Sequence, residues 1–480
     1  MNGAINIFPR TRVMLNLLIC VLLVQTTNAQ TVISLNDLSV FKNPGKTWRM
    51  AENVTADLNK PNTLNISPGK GIIVNLPDKT NHGVDLYTSA EYGDVDLELD
   101  YMMASGSNSG IYLQGRYEVQ LEDTWGLKTT SSGKNGGIYE QWDDKRPEGN
   151  KGYGGFAPRQ NASRAPGLWQ HLKISFQAPR FDATGKKIES ARMLRVELNG
   201  VLIHENIALP GPTRGGLQPE KATGPLRIQG DHGAVAFRNI AIESFDQPRP
   251  PEEKAPVRPN AVYPILVDAS ATPVFRSFMD LPDGLRVVHA VSVGSAENVH
   301  YTYDTDTGML LQVWRGGYLD ATPMWHSRGD GSSRPVGSVQ RFGKPVPAVA
   351  KLSSANAAWK FDTTGTGFRP KGYSLDTNDK PVFKYNIYNT VITDSITTLS
   401  NGQGISREIS LQKTSPDLFV RLAEATTIVE TTKGMYLVDD NAYYLRIDDT
   451  AEEKPVIRDS NGRKELIVPI RSKVKYSILF

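Results

Sequence analysis

The stretch "NSGIYLQGRYEVQLED", residues 108–123, decides how the chain is read. Side chains of a strand alternate between its faces, so Tyr117, Val119 and Leu121 share one face and Glu118, Gln120 and Glu122 the other. One apolar and one polar face is the pattern of an antiparallel strand with a single side on a core. Gly115 marks the turn that brings residues 108–114 alongside. A two-residue loop at Gly115-Arg116 would set polar Gln114 beside apolar Tyr117. A three-residue loop, Gly115-Arg116-Tyr117, instead aligns Tyr112 and Gln114 with Glu118 and Gln120, so register favours the longer loop. The plainest role for the charged face is contact with solvent.

The same arithmetic extends in both directions. "DVDLELDYM" turns Val95, Leu97, Leu99 and Tyr101 inward and Asp96, Glu98 and Asp100 outward, and "RVELNGVLI" is a hairpin about Asn199-Gly200 in which Leu198 faces Val201. From Gln30 to Phe245 short alternating runs are broken by Gly, Asn and Pro with little helical periodicity, which predicts an all-β domain of two stacked sheets. "DQPRPPEEKAPVRPNAVYP", residues 246–264, is dense in Pro and charge and reads as a linker. Residues 265–480, with "VVHAVSV", "VHYTYDT", "MLLQVW" and "KYSILF", form a second β-rich domain.

At 480 residues the chain is long enough for two domains with separate cores, and 54 Lys plus Arg against 51 Asp plus Glu gives no global attraction for nucleic acid. Residues 1–29 read as an export signal: Arg10 and Arg12 precede "VMLNLLICVLLV", and "TNA" ending at Ala29 offers a cleavage site. The expected location is periplasmic or secreted. Nothing later in the chain is long and apolar enough to span a membrane. Cys20 is the only cysteine and lies in this segment, where Ile19 makes it a poor lipidation site. The mature chain therefore offers no disulfide, thiol nucleophile or cysteine-bound zinc.

Six pieces of the first domain, in order, carry a family resemblance: "DLYTSAEYGDVDLELDY", "NSGIYLQGRYEVQLED", "GGIY", "PGLWQHLKISFQAPRF", "LNGVLIHENIALPGPT" and "GPLRIQGDHGAVAFRNIAI". Together they make residues 31–245 resemble the 3-keto-disaccharide hydrolase domain family. The resemblance implies a concanavalin-like jelly-roll sandwich acting on sugars oxidised at carbon 3. In the second domain, the segment beginning "VVHAVSVGSAENVHYTYDT" resembles one found beside haem-binding and sugar-dehydrogenase modules in exported bacterial proteins. Covalent haem needs C-x-x-C-H, which the mature chain lacks, so no activity is carried over from that likeness.

On such a jelly roll the outward face of the concave sheet holds the sugar, and the row Glu118, Gln120, Glu122 is similar to the E-x-D-x-E row of glycosidases with this fold. Two departures count against copying their mechanism. Gln120 replaces the central carboxylate, and residues i and i+4 on a strand start about 13 Å apart, against the roughly 5 Å of retaining hydrolysis. A 3-keto sugar offers another route, in which a base removes the proton on carbon 2, the oxygen on carbon 1 leaves, and water adds to the enone. The residues assigned are Glu118 as base, Glu122 as acid or supporting group, and His232 in "GDHG" as acid or base. Arg116, Gln120, Asn108, Tyr139 and Trp142 are assigned to the substrate.

Each assignment has a plain structural counterpart. His232 and Asp231 would also suit an ordinary turn, as would Asn108 and Ser109, while Arg238 and Asn239 read as structural. Tyr139, Trp142 and Tyr153 fall in a Gly-rich stretch, 131–156, without alternation, and long irregular loops tend to carry function. No H-x-x-x-H pattern names a metal site, and a divalent metal is left open. In the second domain Trp314, Arg315, Asp320, Trp325 and His326 crowd a Gly-rich segment that fits either a binding loop or ordinary turns. The rival to an enzyme is a non-catalytic carbohydrate-binding protein using the same face. Protein partners are not indicated.

Overall fold

The computed structural model describes residues 31–245, 249, 262–354, 356–415 and 417–480. The expected signal, 1–29, and most of the expected linker, 246–264, lie outside the described residues. The first domain is a sandwich of two antiparallel sheets. In the larger, Val201–Leu209, Ala191–Leu198, Gln170–Gln177, Val95–Met103, Val235–Ser244, Leu64–Asn75 and Trp48–Ala56 follow one another, and Thr31–Val32 also pairs with Val235–Ser244. In the smaller, the order is Phe41–Lys42, Leu86–Tyr92, Gly224–Ile228, Asn108–Leu113 and Tyr117–Glu122.

The alternation read from sequence builds the core between them. Tyr117, Val119 and Leu121 from the smaller sheet pack with Val95, Leu97, Leu99 and Tyr101 from the larger, and the Tyr117 ring lies 5.4 Å from that of Phe176. The outward carboxylates of Val95–Met103 are ion-paired: Asp96 with Arg249, Glu98 with Lys173, and Asp100 with Arg238. The Asn199-Gly200 turn has Leu198 opposite Val201 and both turn residues at positive φ, 51° and 77°, the primed geometry that matches strand twist.

The 108–122 hairpin differs from its expected register. Its loop has three residues, but they are Gln114, Gly115 and Arg116, so Leu113 pairs with Tyr117 and Tyr112 stands opposite Glu118. Gln114 and Gly115 both take left-handed backbone, φ 55° and 67°, and the Gln114 amide donates to the carbonyls of Tyr92 and Ala222. Those two bonds draw Gln114 out of the strand and into the turn.

The second domain contains sheets of six, four and eight strands around its own core. Within it the buried Asp394 is paired, with Arg407 Nη2 2.6 Å from Asp394 Oδ2 and the Tyr303 hydroxyl donating to the same oxygen. Trp314 lies in the strand expected from "MLLQVW", whereas Arg315, expected in a binding loop or a turn, is buried in the same strand, Met309–Asp320, which continues through Gly316 and Gly317 with an irregularity just beyond. Asp320 receives the Thr322 amide, and Trp325 stands on the surface at the end of the single helical turn Thr322–Trp325. Among the described residues no helix is long and apolar enough to cross a membrane.

Val119 is fully buried between the sheets, so Val119→Ala is expected to lower unfolding free energy by about 2 kcal/mol in urea titration. A loss near zero would contradict the sandwich interior described here.

Candidate active site

Across the smaller sheet, register places five residues in one row. Lys42 pairs with Tyr87, Tyr87 with Arg227, Arg227 with Tyr112, and Tyr112 with Glu118. The row shares the face opposite the core, and its exposure falls from one end to the other. Lys42 is exposed, Tyr87 and Arg227 are half-buried, and Glu118 is 1% exposed. The open end is a cleft lined by Lys42, Asp85, Tyr87 and Asp231.

The face expected to meet solvent is thus covered at Glu118. The cover comes from distant chain. Thr213 Oγ1 accepts the Glu118 amide at 3.2 Å, the Gly215 carbonyl accepts from Arg227, and Tyr139 N–H donates to the Glu118 carbonyl at 3.1 Å. Opposite Gln120 stands Gly110, where an added Cβ would fall on the Glu118 carboxyl. Glycine there is a matter of space, since any side chain would displace the carboxyl.

Glu118 Oε2 is buried without a hydrogen-bond partner. Burial, which penalises the charged form, pushes the carboxyl up to about 8, partly opposed by the Tyr112 hydrogen bond and Arg227 and reinforced by Asp85 and Asp231. Burial and the neighbouring Glu118 push the Tyr112 phenol upward as well, so Tyr112 remains a donor. Arg227 is held in place: Nε and Nη2 lie 2.7 and 2.6 Å from Asp85 Oδ2, Nη1 lies 2.6 Å from the Gly215 carbonyl, and the guanidinium stacks 4.1 Å over the Tyr112 ring. Asp85 is fixed in turn by the Gly230 amide at 2.9 Å. A carboxyl with a raised pKa, a phenol donor and a fixed cation are the groups that proton transfer beside positive charge requires.

The other assigned residues sort by position. His232, about half exposed, hydrogen-bonds Asp231, which lines the cleft and whose charge reaches Glu118. Glu122 lies at the far end of its strand, opposite Asn108, and is compensated by Lys134 at 2.8 Å. Gln120 is buried beside Glu118, its backbone paired with Gly136 and Gly137. Tyr139 adjoins Glu118 through its backbone, and Trp142 lies three residues on, its ring stacked under Arg214. Arg116 differs most from its assignment. Its guanidinium donates to the carbonyls of Gln114, Pro219 and Thr223, and its acidic neighbours are Glu91 and Glu220, so it ties the hairpin loop to residues 219–223. Tyr112, Arg227 and Asp85 went unassigned from sequence, although "PLRI" already sets Arg227 outward between Leu226 and Ile228. Among the described residues no three His, Cys, Asp or Glu side chains converge as metal ligands.

Residues 35–243 match the family model described as a 3-keto-alpha-glucoside-1,2-lyase-like domain. The match spans nearly the whole of the first domain. Among solved structures, one described as a "putative glycosyl hydrolase" from Parabacteroides distasonis ATCC 8503 is 25% identical, covering 45% of this chain and 84% of its own, with TM-score 0.33. A second from the same organism is 18% identical over 45% of this chain and all (100%) of its own, with TM-score 0.30. The binding domain of botulinum neurotoxin serotype D covers 94% of this chain and 97% of its own at 10% identity and TM-score 0.23. Superpositions this loose transfer no residue role. No curated protein matches the chain. The family match to the lyase-like domain supports a glycan-processing role, and the Glu118 row lies within it.

The raised carboxyl sets a stability test for this domain. Because the folded pKa lies above the unfolded value, Glu118 favours folding most below about pH 4.5, and that contribution is lost as pH rises through about 8. Unfolding free energy of Glu118→Gln relative to wild type should therefore grow between these limits, by on the order of a few kcal/mol at pH 8. A difference that stays flat with pH would mean that the carboxyl is not perturbed.

Proposed function

We propose that this chain is an exported enzyme that cleaves 3-keto-glycosides by abstracting the proton next to the ketone. The observation that carries the reading is the buried Glu118 carboxyl, with one oxygen unpartnered, in a row with Tyr112 and Arg227. The likeness of residues 35–243 to a 3-keto-alpha-glucoside-1,2-lyase-like domain supports the choice of substrate class.

The ketone on carbon 3 acidifies the proton on carbon 2. Glu118 takes that proton, and its raised pKa makes it a stronger base than an ordinary carboxylate. The electron pair passes through an enolate, whose charge the Tyr112 hydroxyl and the Arg227 guanidinium stabilise, and then expels the oxygen on carbon 1. His232, oriented by Asp231 at the cleft, gives the departing oxygen its proton. Water added across the resulting enone completes hydrolysis, and release of the enone instead makes the reaction a lyase. Glu122, neutralised by Lys134, sits at the far end of the strand and supports the site rather than forming a second glycosidase carboxylate. Export follows from the sequence of residues 1–29 alone.

Turnover of a 3-keto-glucoside by purified protein, with the unoxidised glucoside as control, tests this directly. Glu118→Gln should reduce kcat/KM by about 100-fold or more while the protein stays folded. In the wild type kcat/KM should rise with pH with a midpoint near 8, because a base works only when deprotonated. A profile that falls through the same range would assign Glu118 as an acid. Glycan binding without turnover would support the carbohydrate-binding protein instead.

A further inference from the structure

The connection between strands Tyr117–Glu122 and Gln170–Gln177 runs from Asp123 to Trp169 and flanks the site. Its middle is the neighbour of the Glu118 strand: Gly136 N–H donates to the Gln120 carbonyl at 2.7 Å, the Gln120 amide to Gly137 at 2.8 Å, and Tyr139 N–H to the Glu118 carbonyl at 3.1 Å. An irregular connection of this length loses much conformational entropy on ordering, so something must hold it.

Both of its feet rest on the second domain. On the outgoing leg, the half-buried Trp125 donates its indole N–H to the carbonyls of Gln403 and Phe480, at 3.1 and 2.9 Å. Next to it a Cβ on Gly126 would stand 2.7 Å from the Asn401 carbonyl oxygen, so the two backbones meet where only glycine fits. On the return leg, Gln160 Oε1 accepts the Gly317 amide at 2.6 Å, and Tyr444 donates to the Pro166 carbonyl at 3.0 Å. Ala165 and Leu168 are buried in one cluster with Leu437, Tyr444 and Leu479. The feet are also joined to each other, because Asn161 Nδ2 donates to the carbonyls of Thr124 and Leu127, at 2.8 Å each. The second domain therefore grips a closed loop at its base.

We infer that residues 265–480 serve as the abutment that orders the site loop, with Trp125 as a positioning residue for the Gly136–Tyr139 edge beside Glu118. Its catalytic consequence rests on the function proposed above; its structural content does not. If the ordered loop is the binding-competent state, loosening it divides affinity by the fraction ordered and leaves the chemistry of the bound complex intact.

The test uses the full chain carrying Trp125→Phe, which keeps an aromatic ring and removes both indole hydrogen bonds. Amide hydrogen exchange at Gly136 and Tyr139 should accelerate about 10-fold or more, and KM for a 3-keto-glucoside should rise only as far as the ordered fraction of the loop falls, with kcat largely retained. Gln160→Ala, which frees the other foot from Gly317, should give the same local signature and decides the matter if Trp125→Phe does not fold. As a control, Asp280→Asn weakens the Arg286–Asp280 pair on the surface of the second domain, whose partners all lie in that domain, and should leave Gly136 and Tyr139 unchanged. Wild-type exchange at these two amides in a folded foot variant would overturn the inference. Exchange decides it even if the wild type turns over no keto sugar, which would count against the proposed function alone.

Discussion

The removal of the Glu118 carboxyl from water is the constraint on which the site depends. A carboxylate in an apolar surrounding is costly, and the chain meets that cost by letting the group hold its proton to about pH 8. Most nearby features follow from making room for it and enclosing it. Gly110 leaves the space that the carboxyl fills, Tyr112 meets it from the paired strand, and Thr213, Gly215 and Tyr139 close over the strand from other parts of the sequence. Arg227 comes near enough to favour ionisation, but its charge is shared with Asp85 at 2.6 Å, which leaves burial the stronger influence.

The row also explains how one face of a sheet serves two purposes. At the Lys42 end it is an open cleft with Asp231 and His232 at its edge, suited to a polar ligand, and at the Glu118 end it is dry enough to perturb a carboxyl. A proton-transfer group is most useful where water is excluded and fixed dipoles remain. The gradient comes from backbone connections and not from the sheet, since the same strand positions would be solvated without the covering segments.

Sequence revealed what depends on neighbours along the chain and hid what depends on distant ones. Alternation placed Tyr117, Val119 and Leu121 in the core, and Asn199-Gly200 named its own turn, because both are local properties. Burial of Glu118 was not legible, since Thr213 and Gly215 cover it from about a hundred residues away in sequence. Arg227 passed unnoticed for a similar reason: its partner Asp85 lies 142 residues earlier. Gln114 was read as a strand residue because polarity suggested it, whereas bonds to Tyr92 and Ala222 place it in the turn. Arg315 was misplaced because Gly316 and Gly317 suggested a loop or turn, although the strand that begins with "MLLQVW" tolerates both glycines.

The central claim, that burial holds the Glu118 carboxyl far above the ordinary carboxylate range, is tested most directly by carbon-13 NMR titration of glutamate side-chain carboxyls in the ligand-free protein. Glu118→Gln identifies the resonance by its disappearance. The account predicts a midpoint near 8 for that signal. A midpoint near 4.5, the ordinary value for a glutamate, would contradict it.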